Sequence, residues 1–131
     1  EMGRLIGLSS LEVQKDRLTV ASQFARECGV IVVLKGAGTV VALPDGRIFM
    51  NASGNPGMAT GGTGDVLTGM IGGLLAQGLP AEQAACLGVF LHGLAGDLAA
   101  KEKTESAMIA GDLIEKIPQA MRDTMKPGII S

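Results

Sequence analysis

Asp65 ends a glycine-rich run, GNPGMATGGTGD from Gly54 to Asp65, and opens directly onto the apolar stretch VLTGMIGGLLAQG. Eight of the chain's 20 glycines fall between Gly54 and Gly73. Two familiar phosphate loops are excluded. No Lys-Ser/Thr pair follows the glycines, so this is not a Walker A loop. Gly62-Thr63-Gly64 is followed by Asp65, Val66 and Leu67, so the third glycine of a dinucleotide fingerprint is missing. What remains is a backbone anion hole. The N–H groups of Gly62, Thr63 and Gly64 converge at the start of a predicted helix, where unpaired donors and the helix dipole favour a phosphate oxygen. An Asp in a first helical turn is also a favourable structural residue. A carboxylate beside a bound phosphate is repelled, however. That cost makes sense if the carboxylate takes a proton from a hydroxyl attacking a phosphoryl group.

A second stretch is Lys35-Gly36-Ala37-Gly38-Thr39, at the C-terminal end of a predicted strand. In open α/β sheets ligands bind at that edge. The two glycines leave room for a flat base or ribose against the backbone. The plainer alternative is a glycine turn with Lys35 reaching to solvent.

These motifs need elements to position them. SSLEVQKDRLTVASQFARECG reads as one amphipathic helix, with Leu11, Leu18, Ala21, Ala25 and Cys28 on one face, Ser9 or Ser10 as N-cap and Gly29 at the C-terminal end. VIVVLKG reads as a buried strand. VVAL and RIFMN, separated by Pro44-Asp45-Gly46, read as a hairpin. Helices are predicted over 63–77, 81–100 and 107–117, with Pro118 free to start another turn or short helix. Glu102, Lys103 and Glu105 read as a solvated loop. His92, the only histidine, reads as a packing histidine, and Asp97 as a hydrogen-bonding group within the fold.

The 131 residues are one domain's worth or less. With 47% hydrophobic and 18% charged residues and a net charge of −2, the chain reads as globular, with no charge for nucleic acid. Three Phe and no Trp or Tyr leave no platform for stacking single-stranded bases. The window from Val66 to Ala76 is too short for a bilayer, which takes about 20 residues. No leader peptide is read at the N-terminus, and Cys28 and Cys86 read as buried thiols of a reducing compartment. The expectation is therefore a cytoplasmic protein, with no membrane partner. Helix, strand and hairpin followed only by helices is less than a complete doubly wound sheet, so the chain is expected to be part of something larger.

KGAGT and NPGMATGGTGD, with the hairpin between them, resemble the ribokinase-like fold. More closely, VVLKGAGTVVALPDGRIFMNASGNPGMATGGTGDVLTGMIGGLLAQG, LGVFLHGLAGDLAA and SAMIAGDLIEKIP resemble the ADP/ATP-dependent NAD(P)H-hydrate dehydratases. The resemblance covers essentially the whole chain. It implies an α/β, three-layer ribokinase-like sandwich, of which residues 1–131 form the C-terminal part of a single domain. The implied reaction is a repair: (6S)-hydrated NADH or NADPH is dehydrated to NAD(P)H at the expense of ADP or ATP. Residue by residue, Lys35, Gly36, Ala37, Gly38 and Thr39 match the family's adenine-nucleotide stretch, and Gly64 its nucleotide-contacting glycine. Asp65 matches the contact to the hydrated cofactor and the base. The resemblance further implies Mg²⁺ bridging the phosphates, with no dedicated protein metal site, and a homotetramer. Family members carry a PHPGEM segment whose His approaches the substrate; Glu1-Met2 match only its end, which places the remaining substrate contacts before residue 1. Gly3 stands where alanine is common. An upstream epimerase domain occurs in fused relatives. Two other readings are a ribokinase-like kinase for a small alcohol such as a vitamin precursor or sugar, and a non-catalytic adenine-nucleotide-binding module.

Overall fold

The structure is a computed structural model that describes residues 1–126. It divides into two compact units, Glu1–Met50 and Asn51–Ser131.

In the first unit, α1 (Met2–Ile6) ends at Gly7 in the left-handed region. A Cβ on Gly3 would collide with the carbonyl of Leu8, which gives that glycine a reason in packing. Ser9 then caps α2 (Ser10–Lys15) in a complete capping box with Glu12. The predicted single helix is broken here. Asp16 has φ −146° and ψ 65° and starts a new helix, α3 (Arg17–Cys28), its carboxylate accepting the N–H of Thr19 at 3.2 Å. The break interrupts the predicted face. Ala21 and Ala25 are fully buried, whereas Leu11, Leu18 and Cys28 are exposed. Cys86 is only half-buried, so neither thiol is the buried core residue expected. Gly29 closes α3 with φ 64°, donating its N–H to Ala25.

Strands β1 (Val32–Leu34), β2 (Val40–Ala42) and β3 (Ile48–Met50) form an antiparallel meander in that order. The stretch expected to be a buried strand, VIVVLKG, contains β1, which lies at an edge and is only half-buried; the strand buried at every residue is central β2. Ala21 and Ala25 pack on Val40 and Ala42, with Val32 and Leu34 beside them. Small residues on α3 let the helix sit close to the sheet. The hairpin turn is the predicted one: Gly46 has φ 97°, and Asp45 accepts the Arg47 N–H at 3.0 Å.

The second unit is helical. A short 3₁₀ turn, Pro56–Met58, precedes α4 (Thr63–Ala76), α5 (Ala81–Lys103) and α6 (Ala110–Thr124). Leu91 and Ala95 of α5 pack against Leu113 and Ala120 of α6, joined by Val66 and Met70 of α4. By length and composition α5 could cross a bilayer, but 56% of its apolar window is buried within the protein. It runs on to Lys103, so Glu102 and Lys103 are helical, and Glu102 pairs with Lys116 of α6. Pro118 does not begin a new helix; it lies inside α6. Its missing N–H leaves the Ile114 carbonyl without its helical donor, but both residues are exposed and water can replace that bond. The apolar face of Leu113, Ile117 and Ala120 carries the helix through.

Candidate functional site

The chain leaves β3 into the glycine-rich loop, and α5 holds the first part of that loop. Asp97 accepts the N–H of Gly54 at 2.9 Å and the side-chain amide of Asn55 at 3.0 Å. Ser53 donates to the carbonyl of Phe90 at 3.0 Å, and the amide of Asn51 donates to the Ser53 carbonyl at 3.0 Å. Two glycines of α5 make this approach possible. A Cβ on Gly93 would overlap Ser53, and one on Gly96 would overlap Met58. Asn55 in turn accepts the N–H of Gly57 at 3.0 Å and starts the 3₁₀ turn.

The loop ends at Gly62, the N-cap of α4, with φ 90° and ψ −17°. Only glycine adopts that backbone readily, and it offers no side-chain oxygen to the first-turn N–H groups. Thr63 is 1% exposed, so its side chain is an anchor and not a ligand. Its hydroxyl lies within donating distance of the carbonyls of Met58 (2.8 Å) and Thr60 (3.0 Å). Its own N–H reaches the Thr60 carbonyl only at the long distance of 3.5 Å. The Nε2 of His92, buried as expected, lies 2.8 Å from the Thr63 carbonyl. Gly64 is half-buried and Asp65 is exposed, in the first turn of α4. The second unit thus brings Gly62, Thr63, Gly64 and Asp65 together at one helix start.

In the first unit, Lys35 through Thr39 form one loop between β1 and β2, with Lys35, Gly36 and Ala37 exposed. Gly38 has φ 66°, and the Thr39 hydroxyl donates to the Gly36 carbonyl at 3.3 Å. Arg17 reaches the same loop from α3.

Sequence reading missed the hydrogen-bonding residues that hold these loops: Asn51, Ser53, Asn55, the Thr63 hydroxyl and Arg17. A signal existed for the second unit. Gly93 and Gly96 interrupt a helix that has no local need for glycine, and both prove to be points of close approach.

A family model described as NAD(P)H-hydrate dehydratase matches residues 1–119. The chain belongs to the NAD(P)H-hydrate dehydratase family. Over 123 residues it is 52% identical to the bifunctional NAD(P)H-hydrate repair enzyme of Moorella thermoacetica, covering 94% of this chain and 23% of that protein. The crystal structure of the ADP/ATP-dependent NAD(P)H-hydrate dehydratase from Bacillus subtilis, co-crystallised with ATP/Mg²⁺ and soaked with CoA, matches with a TM-score of 0.88. It is 36% identical, over 92% of this chain and 45% of that one. A ribokinase-like superfamily protein from Enterococcus faecalis V583 matches with a TM-score of 0.75 and 37% identity, over 92% of this chain and 41% of that one. The α/β, ribokinase-like fold class read from the sequence is therefore the observed one. This member of the dehydratase family spans less than half the length of each of these relatives.

Proposed function

We propose that the protein carrying this chain is a nucleotide-dependent (S)-NAD(P)H-hydrate dehydratase, a metabolite-repair enzyme. The reading is carried by the start of α4, where left-handed Gly62 precedes an exposed Asp65 in a chain of the dehydratase family. Lys35, Gly36, Ala37, Gly38 and Thr39 contact the adenine nucleotide. The N–H groups of Gly62, Thr63 and Gly64 stabilise the transferring phosphoryl group, Gly64 also touching the nucleotide.

Asp65 contacts the hydrated cofactor and takes the proton of its C6 hydroxyl as that oxygen attacks the terminal phosphoryl group. The C6 oxygen–phosphorus bond forms, and AMP leaves from ADP, or ADP from ATP. The ring nitrogen's lone pair then expels phosphate from C6, and loss of the neighbouring ring proton restores NAD(P)H. Asp65, exposed in the structure, can return its proton to water once the products leave. Among the described residues no three His, Cys, Asp or Glu side chains stand together as a metal cage. Mg²⁺ would be held mainly by phosphate oxygens and water, where it would neutralise phosphate charge. The enzyme is further proposed to be a cytoplasmic homotetramer, with neither nucleic acid nor membrane as a partner.

The test is recovery of the near-ultraviolet absorbance of reduced nicotinamide from hydrated NADH by the full-length protein, with ADP or ATP supplied. Recovery with one or both nucleotides is expected. No recovery with either would overturn the reading, and a stable phosphorylated alcohol as product would favour a kinase instead.

A further inference from the structure

Arg17 stands where sequence reading fails. A continuous amphipathic helix was expected across Asp16, yet the helix stops there and restarts, putting Arg17 at the first position of α3. From that position its guanidinium spans two carbonyls of another segment. Nη2 donates to Leu34, the last residue of β1, at 2.9 Å, and Nη1 donates to Ala37, inside the following loop, at 2.7 Å. The two carbonyls flank Lys35 and Gly36. Gly36 is shaped to this contact: a Cβ there would lie 2.6 Å from Nη2 and 2.7 Å from the guanidinium carbon. The third nitrogen, Nε, is buried with no hydrogen-bond partner among the described residues. Leaving a charged group's donor unpaired is costly, so the side chain's position is set by the two carbonyls and not by its own solvation.

We infer that Arg17 is a positioning residue for the nucleotide loop, holding Lys35–Thr39 in one conformation before the nucleotide arrives. The assignment rests on the nucleotide reading of that loop under Proposed function. Its physical content is preorganisation. Ala37 is exposed and Leu34 only half-buried, so water can replace the guanidinium at both carbonyls and the fold survives its loss. What is lost is the single loop shape, and a ligand must then supply the ordering free energy itself. A planar fork matches the two carbonyls with rigid donors on separate nitrogens, whereas an ammonium must reach both from a single point on a flexible stem.

The experiment uses the full-length protein with Arg17→Met and Arg17→Lys. Turnover of hydrated NADH is measured against ADP and ATP concentration, and ADP binding by calorimetry. The expected result is a nucleotide KM raised about tenfold or more in both variants. The kcat should stay within about threefold, and the KM for the hydrated cofactor should not move. Unmoved nucleotide KM in either folded variant overturns the inference, as does full rescue by lysine, because charge alone would then suffice. A loss confined to kcat overturns it too. Should Arg17→Met fail to fold, the lysine variant decides. If wild-type turnover needs neither nucleotide, the dehydratase reading falls and takes this inference with it. Nucleotide-dependent wild-type turnover with unaffected variants overturns the inference alone.

Discussion

The Lys35–Thr39 loop and the Gly54–Asp65 loop both present bare backbone, yet they are secured in different ways. The first is exposed over Lys35, Gly36 and Ala37 and is gripped from behind by one charged side chain, Arg17. The second is bonded into its unit at several points: Asp97 on Gly54 and Asn55, Ser53 on Phe90, the Thr63 hydroxyl on Met58 and Thr60, and His92 on the Thr63 carbonyl. A loop held by one fork should lose ligand affinity when the fork is removed, while the fold remains. A loop woven into the core should lose stability with every tie. The loop carrying the proposed base is the woven one, which suits chemistry that tolerates little misplacement of a reacting group.

The sharpest way to break this contrast is Asp65→Asn. The substitution keeps the size of the side chain and removes its charge and its capacity to accept a proton. Turnover of hydrated NADH should fall by at least about 100-fold. Nucleotide binding by calorimetry should stay within a few-fold, and the thermal midpoint should be close to wild type. A variant that retains more than a tenth or so of wild-type kcat would show that Asp65 is a first-turn helix residue and not the base.

Asp97→Ala tests the woven loop directly. It leaves the Gly54 N–H and the Asn55 amide without their acceptor, in a side chain that is half-buried. Loss of hydrogen bonds to a charged group should cost about 2 kcal/mol of stability. The cost should appear as a lower denaturant midpoint with an unchanged slope. Set beside Arg17→Met, which should shift nucleotide KM with little loss of stability, it makes the comparison quantitative. Equal stability losses in the two variants would erase the distinction between the loops.

The turns and helix ends around these loops were legible from local chemistry. Gly29 ending α3, Pro44-Asp45-Gly46 turning the hairpin and Gly62 opening α4 each follow from the backbone that glycine or proline prefers. The break at Asp16 was not legible. Asp16 caps α3 by accepting the Thr19 N–H, and the apolar spacing across Asp16 hides the break; the carbonyls that Arg17 meets come together only in the folded first unit. Pro118 misled for the opposite reason. A local rule predicted interruption, but the apolar face of α6 outweighs one missing bond that water can replace. At the glycine loop, Gly62 marks the start of α4 locally, while the loop's supports on α5 lie 29 to 43 residues away and left only Gly93 and Gly96 as traces.

The smallest expected effect probes how α5 and α6 are tied at their solvent edge. The Lys116 ammonium beside Glu102 holds that carboxyl below the usual range for glutamate, first through their hydrogen bond and then through charge attraction. A carboxylate with a lowered folded-state pKa stabilises the fold above its unfolded value. That contribution is lost as pH falls through the folded value. Thermal midpoints of wild type and Glu102→Gln should therefore differ most at neutral pH and converge as the solution becomes acidic. The pair is exposed on the Glu102 side, so the gap should be small and should shrink further at high salt. A gap that persists unchanged below the carboxylate range would mean that Glu102 contributes through packing of its stem on α6, and that the ion pair adds nothing to the helix pair beneath the glycine loop.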